Sequence, residues 1–162
     1  MKKAMLYSGG YESTILSMMY PKIDKLFIQN TDTPTFLVRE MKKRGCIVYK
    51  TGLPHRWIIL QGILVAKQLG YKVLYIGIEK DDKSTKYFDN IEFVEQTTEF
   101  LKQLKGIRII PCLRTAKHSE IIKTVLNYVK KEDVFTCDFM KKGKTRCGKC
   151  LNCKIEEKVL KS

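Results

Sequence analysis

Apolar positions along this chain alternate between two periods. Residues 3–8 form a short apolar run of strand length, and residues 13–20 carry apolar side chains at helical spacing until Pro21 stops them. The alternation then repeats. Residues 25–29 read as a strand, 36–44 as a helix ending at Gly45, and 46–50 as a third strand. Residues 57–69 form a helix with Gly70 where a C-terminal cap belongs, and 73–78 are the most apolar strand. A helix over 91–104, Gly106, a fifth strand over 107–110 and a helix over 117–129 complete the series. Strand followed by helix, repeated, predicts an α/β fold: a doubly wound, mostly parallel five-stranded sheet covered on both faces. Ligands of such sheets bind beyond the carboxyl ends of the strands. The tail beyond residue 130 does not continue the alternation. We therefore expect a nucleotide-binding α/β unit over 1–130 and a metal-stapled extension over 131–162 of the same domain.

Composition adjusts this picture in three ways. The 162 residues are enough for one domain with a substantial core, and 44% hydrophobic content is ordinary for one. The longest apolar stretch, residues 57–66, is about half of what a bilayer crossing needs. The Ser8-Gly9-Gly10 run breaks the N-terminal sequence before a signal-peptide core can form, so a cytoplasmic location is expected. The net charge of +14 admits a nucleic-acid partner, although only six basic residues are arginine and no arginine/aromatic stripe occurs.

The first candidate for chemistry is Ser8-Gly9-Gly10-Tyr11-Glu12-Ser13-Thr14, directly after the first strand and at the start of a helix. Glycines let the backbone approach a ligand closely. The free N–H groups of a helix start carry partial positive charge that suits a phosphate. Ser8, Ser13 and Thr14 add hydroxyls, and Glu12 offers an oxygen ligand for Mg²⁺. A plain strand-to-helix turn would use the same residues. The second candidate is Cys147-Gly148-Lys149-Cys150-Leu151-Asn152-Cys153, with Cys137 upstream. Four thiolates close a tetrahedral zinc site, and in a reducing compartment clustered cysteines read as ligands before disulfides. An iron–sulfur cluster uses related spacing, but usually with its fourth cysteine downstream. Cys46 and Cys112 fall on or near strands and are expected to be packed thiols. Lys117 is a candidate phosphate contact, while His55 and His118 are expected to be solvated surface residues.

The first run resembles the PP-loop of the ATP pyrophosphatases, Ser-Gly-Gly-x-Asp-Ser, matching at Ser8, Gly9, Gly10 and Ser13 with Glu12 in place of the aspartate. Together with the cysteines it resembles the 7-cyano-7-deazaguanine synthase family, and the chain is identified as a short, divergent member. Further matches are Pro54, Arg56 and Leu60, the strand over 73–77, Asp82, Ser84, Glu92-Phe93-Val94, Lys117, Glu120 and Phe135-Thr136-Cys137. The run over 85–90 departs from the family's substrate-binding motif. The resemblance implies ATP with Mg²⁺, structural zinc on Cys137, Cys147, Cys150 and Cys153, and a homodimer. It also implies a carboxylated deazapurine substrate, which is adenylated and converted with ammonia to an amide and then a nitrile. Ser8, Glu12, Ser13 and Lys117 would be the catalytic residues. Ser8, Gly9, Gly10, Tyr11, Glu12, Ser13, Thr14 and Arg56 would bind the nucleotide. Asn30-Thr31-Asp32-Thr33-Pro34 reads as a turn leading into a helix cap, or as an adenine-contacting loop similar to that of another branch of the superfamily.

Overall fold

The computed structural model describes residues 1–53, 58–79, 107–136 and 146–162. Five parallel strands run β1 (Lys3–Leu6), β2 (Asp24–Gln29), β3 (Ile47–Lys50), β4 (Val73–Gly77) and β5 (Arg108–Cys112), in the order β3-β2-β1-β4-β5. Among the described residues the α-helices are α1 (Tyr11–Met19), α2 (Thr35–Lys43), α3 (Ile58–Gln68), α4 (His118–Leu126) and α5 (Leu151–Leu160). The expected helix over 91–104 and Gly106 lie outside the described residues.

Both faces of the sheet are covered, as a near-continuously apolar parallel sheet requires. On one face Ile59, Ile63 and Ala66 of α3 pack on Ala4, Leu26, Leu74 and Ile109. Gly62 lets α3 sit close, because a Cβ there would lie 2.8 Å from a Leu6 methyl. On the other face Leu16 of α1 and Val38 and Met41 of α2 cover Met5 and Phe27, with the buried Cys46 among them. A third cluster joins Tyr11 of α1 to Ile121, Ile122 and Val125 of α4, Val134, and Val159 of α5.

Helix ends follow the sequence. Gly70 (φ +77°) donates to the Lys67 carbonyl while Tyr71 donates to that of Ala66, and Gly45 and Cys46 repeat the pattern on Lys42 and Met41. These are paired six-to-one and five-to-two closures around a left-handed residue. Helix α1 begins at Tyr11, two residues ahead of the expected start, because Gly10 serves as its extended N-cap and its carbonyl accepts from Thr14. Helix α4 ends at Leu126, short of the expected 129.

The tail corrects the expectation more clearly. It forms α5, whose buried side chains Cys153, Glu156 and Val159 recur every third residue, with Val159 packed among Ile121, Ile122 and Val125 of α4. With a glutamate in the middle of that stripe, hydrophobic periodicity is faint.

Candidate functional site

In the order β3-β2-β1-β4-β5 the chain reverses direction across the sheet between β1 and β4. That reversal opens a crevice at the carboxyl ends of those strands, the usual place for a ligand in an open α/β sheet. The Ser8–Ser13 loop leaves β1 into this crevice. Gly9 holds φ +83°, and a Cβ on it would lie 2.9 Å from both Met41 Cε and Phe135 Cδ2, so glycine is needed for conformation and for space. The backbone N–H groups of Ser8 and Gly9 both donate to Ser13 Oγ, at 3.3 and 3.0 Å. Ser13 Oγ in turn donates to the Gly10 carbonyl at 3.2 Å, and Gly10 N–H donates to Ser8 Oγ at 3.3 Å. The Ser8 and Gly9 amides therefore converge on one oxygen, carried by the first turn of α1, where N–H groups have no intrahelical acceptor. Backbone N–H groups gathered at a helix start are of the kind that can accept an anion.

The structure places the expected loop residues differently from one another. Ser8 is exposed, whereas Ser13 and Thr14 are buried. The Tyr11 side chain points inward, 1% exposed, and burial together with the Glu156 carboxylate raises its pKa above the ordinary tyrosine value. Lys117 is the exposed N-cap of α4, its N–H donating to Glu120 Oε2 at 3.2 Å. Arg56, with Pro54, His55 and Trp57, lies outside the described residues, as do Asp82, Ser84, residues 85–90 and 92–94, and Cys137. Asn30 to Pro34 form the expected turn: Asn30 Oδ1 accepts from Asp32 N–H and Thr33 Oγ1, and Pro34 caps α2.

Glu12 has company that the sequence did not reveal. Gly77 ends β4 against the start of α1, with a notional Cβ 3.1 Å from the Glu12 carbonyl carbon and oxygen. This close approach brings Glu12 beside Glu79, two residues further along. His118, the first residue of α4, completes the group. Its Nδ1 lies 2.7 Å from Glu79 Oε2 and 3.2 Å from Glu12 Oε1. The expectation that His118 is solvated is therefore corrected. It is half-buried between two carboxylates, which push its pKa up to about 10. The Tyr11 ring meets the imidazole edge-on, at an interplanar angle of 87° with centroids 6.5 Å apart.

At the other end, Cys147, Cys150 and Cys153 bring their sulfurs together, with Cys147 Sγ 3.9 Å from Cys153 Sγ. Tetrahedral thiolates about 2.3 Å from zinc stand about 3.8 Å apart, so these three fit such an ion. Gly148 (φ +70°) makes the turn that lets Lys149 and Cys150 N–H groups donate to Cys147 Sγ at 3.4 and 3.3 Å. Donors of this kind steady a thiolate. The knuckle is docked by Arg146. Its guanidinium donates to Thr136 Oγ1 (2.6 Å), Lys131 O (2.9 Å) and Val134 O (3.0 Å), and pairs with the fully buried Glu156 at 2.9 Å. Asn152 Nδ2 donates to the Thr136 carbonyl at 2.8 Å. The same segment reaches the loop, since Phe135 N–H donates to the Gly9 carbonyl at 2.7 Å. Knuckle and loop are thus joined through residues 131–136. Cys46 and Cys112 stand apart from it, and burial pushes both thiols up.

A glycine turn at the switch point of a parallel sheet, with a thiol knuckle docked onto it, defines an α/β protein whose site is assembled at the β1–β4 crevice. The chain belongs to the family of the queuosine biosynthesis protein QueC, the 7-cyano-7-deazaguanine synthases, whose family model matches residues 22–162. The matched span begins after the Ser8–Ser13 loop and takes in β2 to β5 and the cysteine knuckle. No curated protein matches the chain. Family membership supports a 7-cyano-7-deazaguanine synthase-like role in queuosine biosynthesis, that of an enzyme acting on a small-molecule deazapurine precursor. Among the described residues no helix is long and apolar enough to cross a membrane.

Proposed function

We propose that this protein is an ATP-dependent C–N ligase that converts a carboxylated 7-deazaguanine to the nitrile with ammonia. The observation that carries the reading is the convergence of the Ser8 and Gly9 amides at the end of β1, one turn from Glu12. In the first half-reaction the substrate carboxylate oxygen attacks the α-phosphorus of ATP, and pyrophosphate leaves. The loop amides, the Ser8 hydroxyl and the first turn of α1 hold the pyrophosphate as charge builds on it. Ammonia then attacks the acyl carbon, AMP departs and a proton is lost, leaving the amide. A second ATP is attacked by the amide oxygen, releasing pyrophosphate again. A first proton leaves the nitrogen as the imidate forms, and cleavage of the C–O bond with loss of the second gives the nitrile and AMP.

Mg²⁺ would supply charge neutralisation of the phosphates, with Glu12 as its oxygen ligand from this chain. Lys117, exposed at the N-cap of α4 immediately before His118, and Arg56 would add positive charge toward the nucleotide. Zinc would be held by Cys137, Cys147, Cys150 and Cys153 and would act structurally. The chain's contribution there is to position residues 131–136 against the loop. The reading is tested by AMP release from ATP, Mg²⁺, ammonia and 7-carboxy-7-deazaguanine. Substrate-dependent AMP that disappears in Ser8→Ala and Glu12→Ala supports it, and absence of AMP with the wild-type protein overturns it.

A further inference from the structure

The chain is strongly basic, yet the crevice at its switch point holds two carboxylates aimed at one imidazole. Three secondary-structure elements deliver them: Glu12 from the first turn of α1, Glu79 from just beyond β4, and His118 from the first residue of α4. None of the three depends on a long surface loop for its position. Gly77 provides the contact that sets the first two side by side, and the buried Tyr11 ring lies edge-on to the third. Glu79 is itself nearly buried, at 8% exposure.

The donor geometry suits a metal ion. Ligands at adjacent corners of an octahedron with bonds near 2.1 Å stand about 3.0 Å apart. His118 Nδ1 lies 2.7 and 3.2 Å from the two carboxylate oxygens, on either side of that value, and all three ligand atoms fall within 4.8 Å of one another. Two hard oxygens and one imidazole nitrogen select a particular class of ion. Magnesium and calcium prefer oxygen alone, whereas Mn²⁺, Fe²⁺ and Co²⁺ accept a mixed nitrogen and carboxylate set and fill remaining positions with water or ligand.

We propose that Glu12, Glu79 and His118 form a protein-held site for a divalent transition-metal ion of the Mn²⁺ type, present before any nucleotide arrives and separate from the cysteine knuckle. The site deepens the adenylation reading, and it rests on that reading only for what the ion does: it adds positive charge beside the loop amides, the sign a polyphosphate requires. The binding itself needs no nucleotide.

The test is titration of Mn²⁺ into zinc-loaded protein without ATP or substrate, following loss of the free-ion six-line electron paramagnetic resonance signal. Manganese competes poorly for thiolates, so the filled knuckle does not interfere. The expected result is one Mn²⁺ bound per chain. Glu79→Gln, which preserves shape, and His118→Gln should each weaken it at least tenfold, while Glu120→Gln on the same turn of α4 should bind as wild type. Absence of binding, binding only after ATP is added, or equal affinity in all variants would each overturn the proposal and leave the group as an ion pair. Failure here is distinguishable from failure of the proposed function, because AMP release is measured separately in excess Mg²⁺.

Discussion

Replacing Arg146 by methionine tests how the knuckle is joined to the loop. In the wild-type protein this guanidinium pairs with Glu156, a carboxylate only 1% exposed, and donates to Thr136 Oγ1 and the carbonyls of Lys131 and Val134. Methionine fills much of the volume but removes these bonds. Breaking one side of a buried pair costs about 3–5 kcal/mol, because the remaining charge is desolvated without an answer. Lys131 Nζ stays 3.2 Å from Glu156 Oε1, but it is 41% exposed and is only a partial substitute, so the lower end of that range applies. For a chain of this length each kcal/mol moves the melting temperature about 2–4 °C, so a loss of about 3 kcal/mol is roughly 6–12 °C. The assay is thermal unfolding followed by circular dichroism on zinc-loaded protein, with bound zinc quantified alongside. Removing both charges, in Arg146→Met with Glu156→Leu, should recover most of the loss, since a well-packed apolar replacement of a buried pair is close to neutral. A single-variant shift below about 2 °C, or a double variant that melts lower still, would refute the claim that this pair docks the tail.

Other outcomes follow from the same contacts. Gly77→Ala would place a Cβ 2.9 Å from that of Glu12, so α1 must shift; a stability loss of about 1–3 kcal/mol in urea unfolding is expected, together with loss of AMP release, whereas Gly52→Ala, with open space around it, should be silent. Cys150→Ser should lower bound zinc in a colorimetric chelator assay and make the remainder easier to strip, because it deletes one of the three clustered sulfurs. Ser13→Ala removes the acceptor shared by the Ser8 and Gly9 amides; a stability loss of about 1–1.5 kcal/mol in urea unfolding is expected for the net loss of a hydrogen bond. Burial raises the Cys46 and Cys112 pKa values, which means less thiolate at pH 8, so both should alkylate with iodoacetamide more slowly than a free peptide thiol in peptide-mapping mass spectrometry.

The strands were legible because parallel strands buried on both faces write their burial directly into the sequence: residues 73–78 read as the most apolar strand, and Val73, Leu74, Ile76 and Ile78 are all buried. Gly45 and Gly70 were legible as helix ends for a local reason, their left-handed conformation. The knuckle cysteines Cys147, Cys150 and Cys153 were legible from spacing alone, and they do cluster. What escaped was whatever depends on strand order. Glu79 follows a strand and reads as the first polar residue of a loop. Its partnership with Glu12 arises only because β4 lies beside β1, and with His118 because α4 follows β5. Helix α5 escaped for a different reason: its buried stripe is a cysteine, a glutamate and a valine, and Glu156 is tolerated there only because Arg146 and Lys131 answer it.

The proposed ligase makes a nitrile from a carboxylate through two adenylations. Mass spectrometry of 7-carboxy-7-deazaguanine incubated with the zinc-loaded protein, ATP, Mg²⁺ and ammonia, with AMP counted in the same samples, tests it most directly. Conversion of the acid through the amide to the nitrile is expected, with two AMP formed for each nitrile and none without the acid. Unchanged acid, or AMP release that does not depend on it, would rule out the proposed reaction.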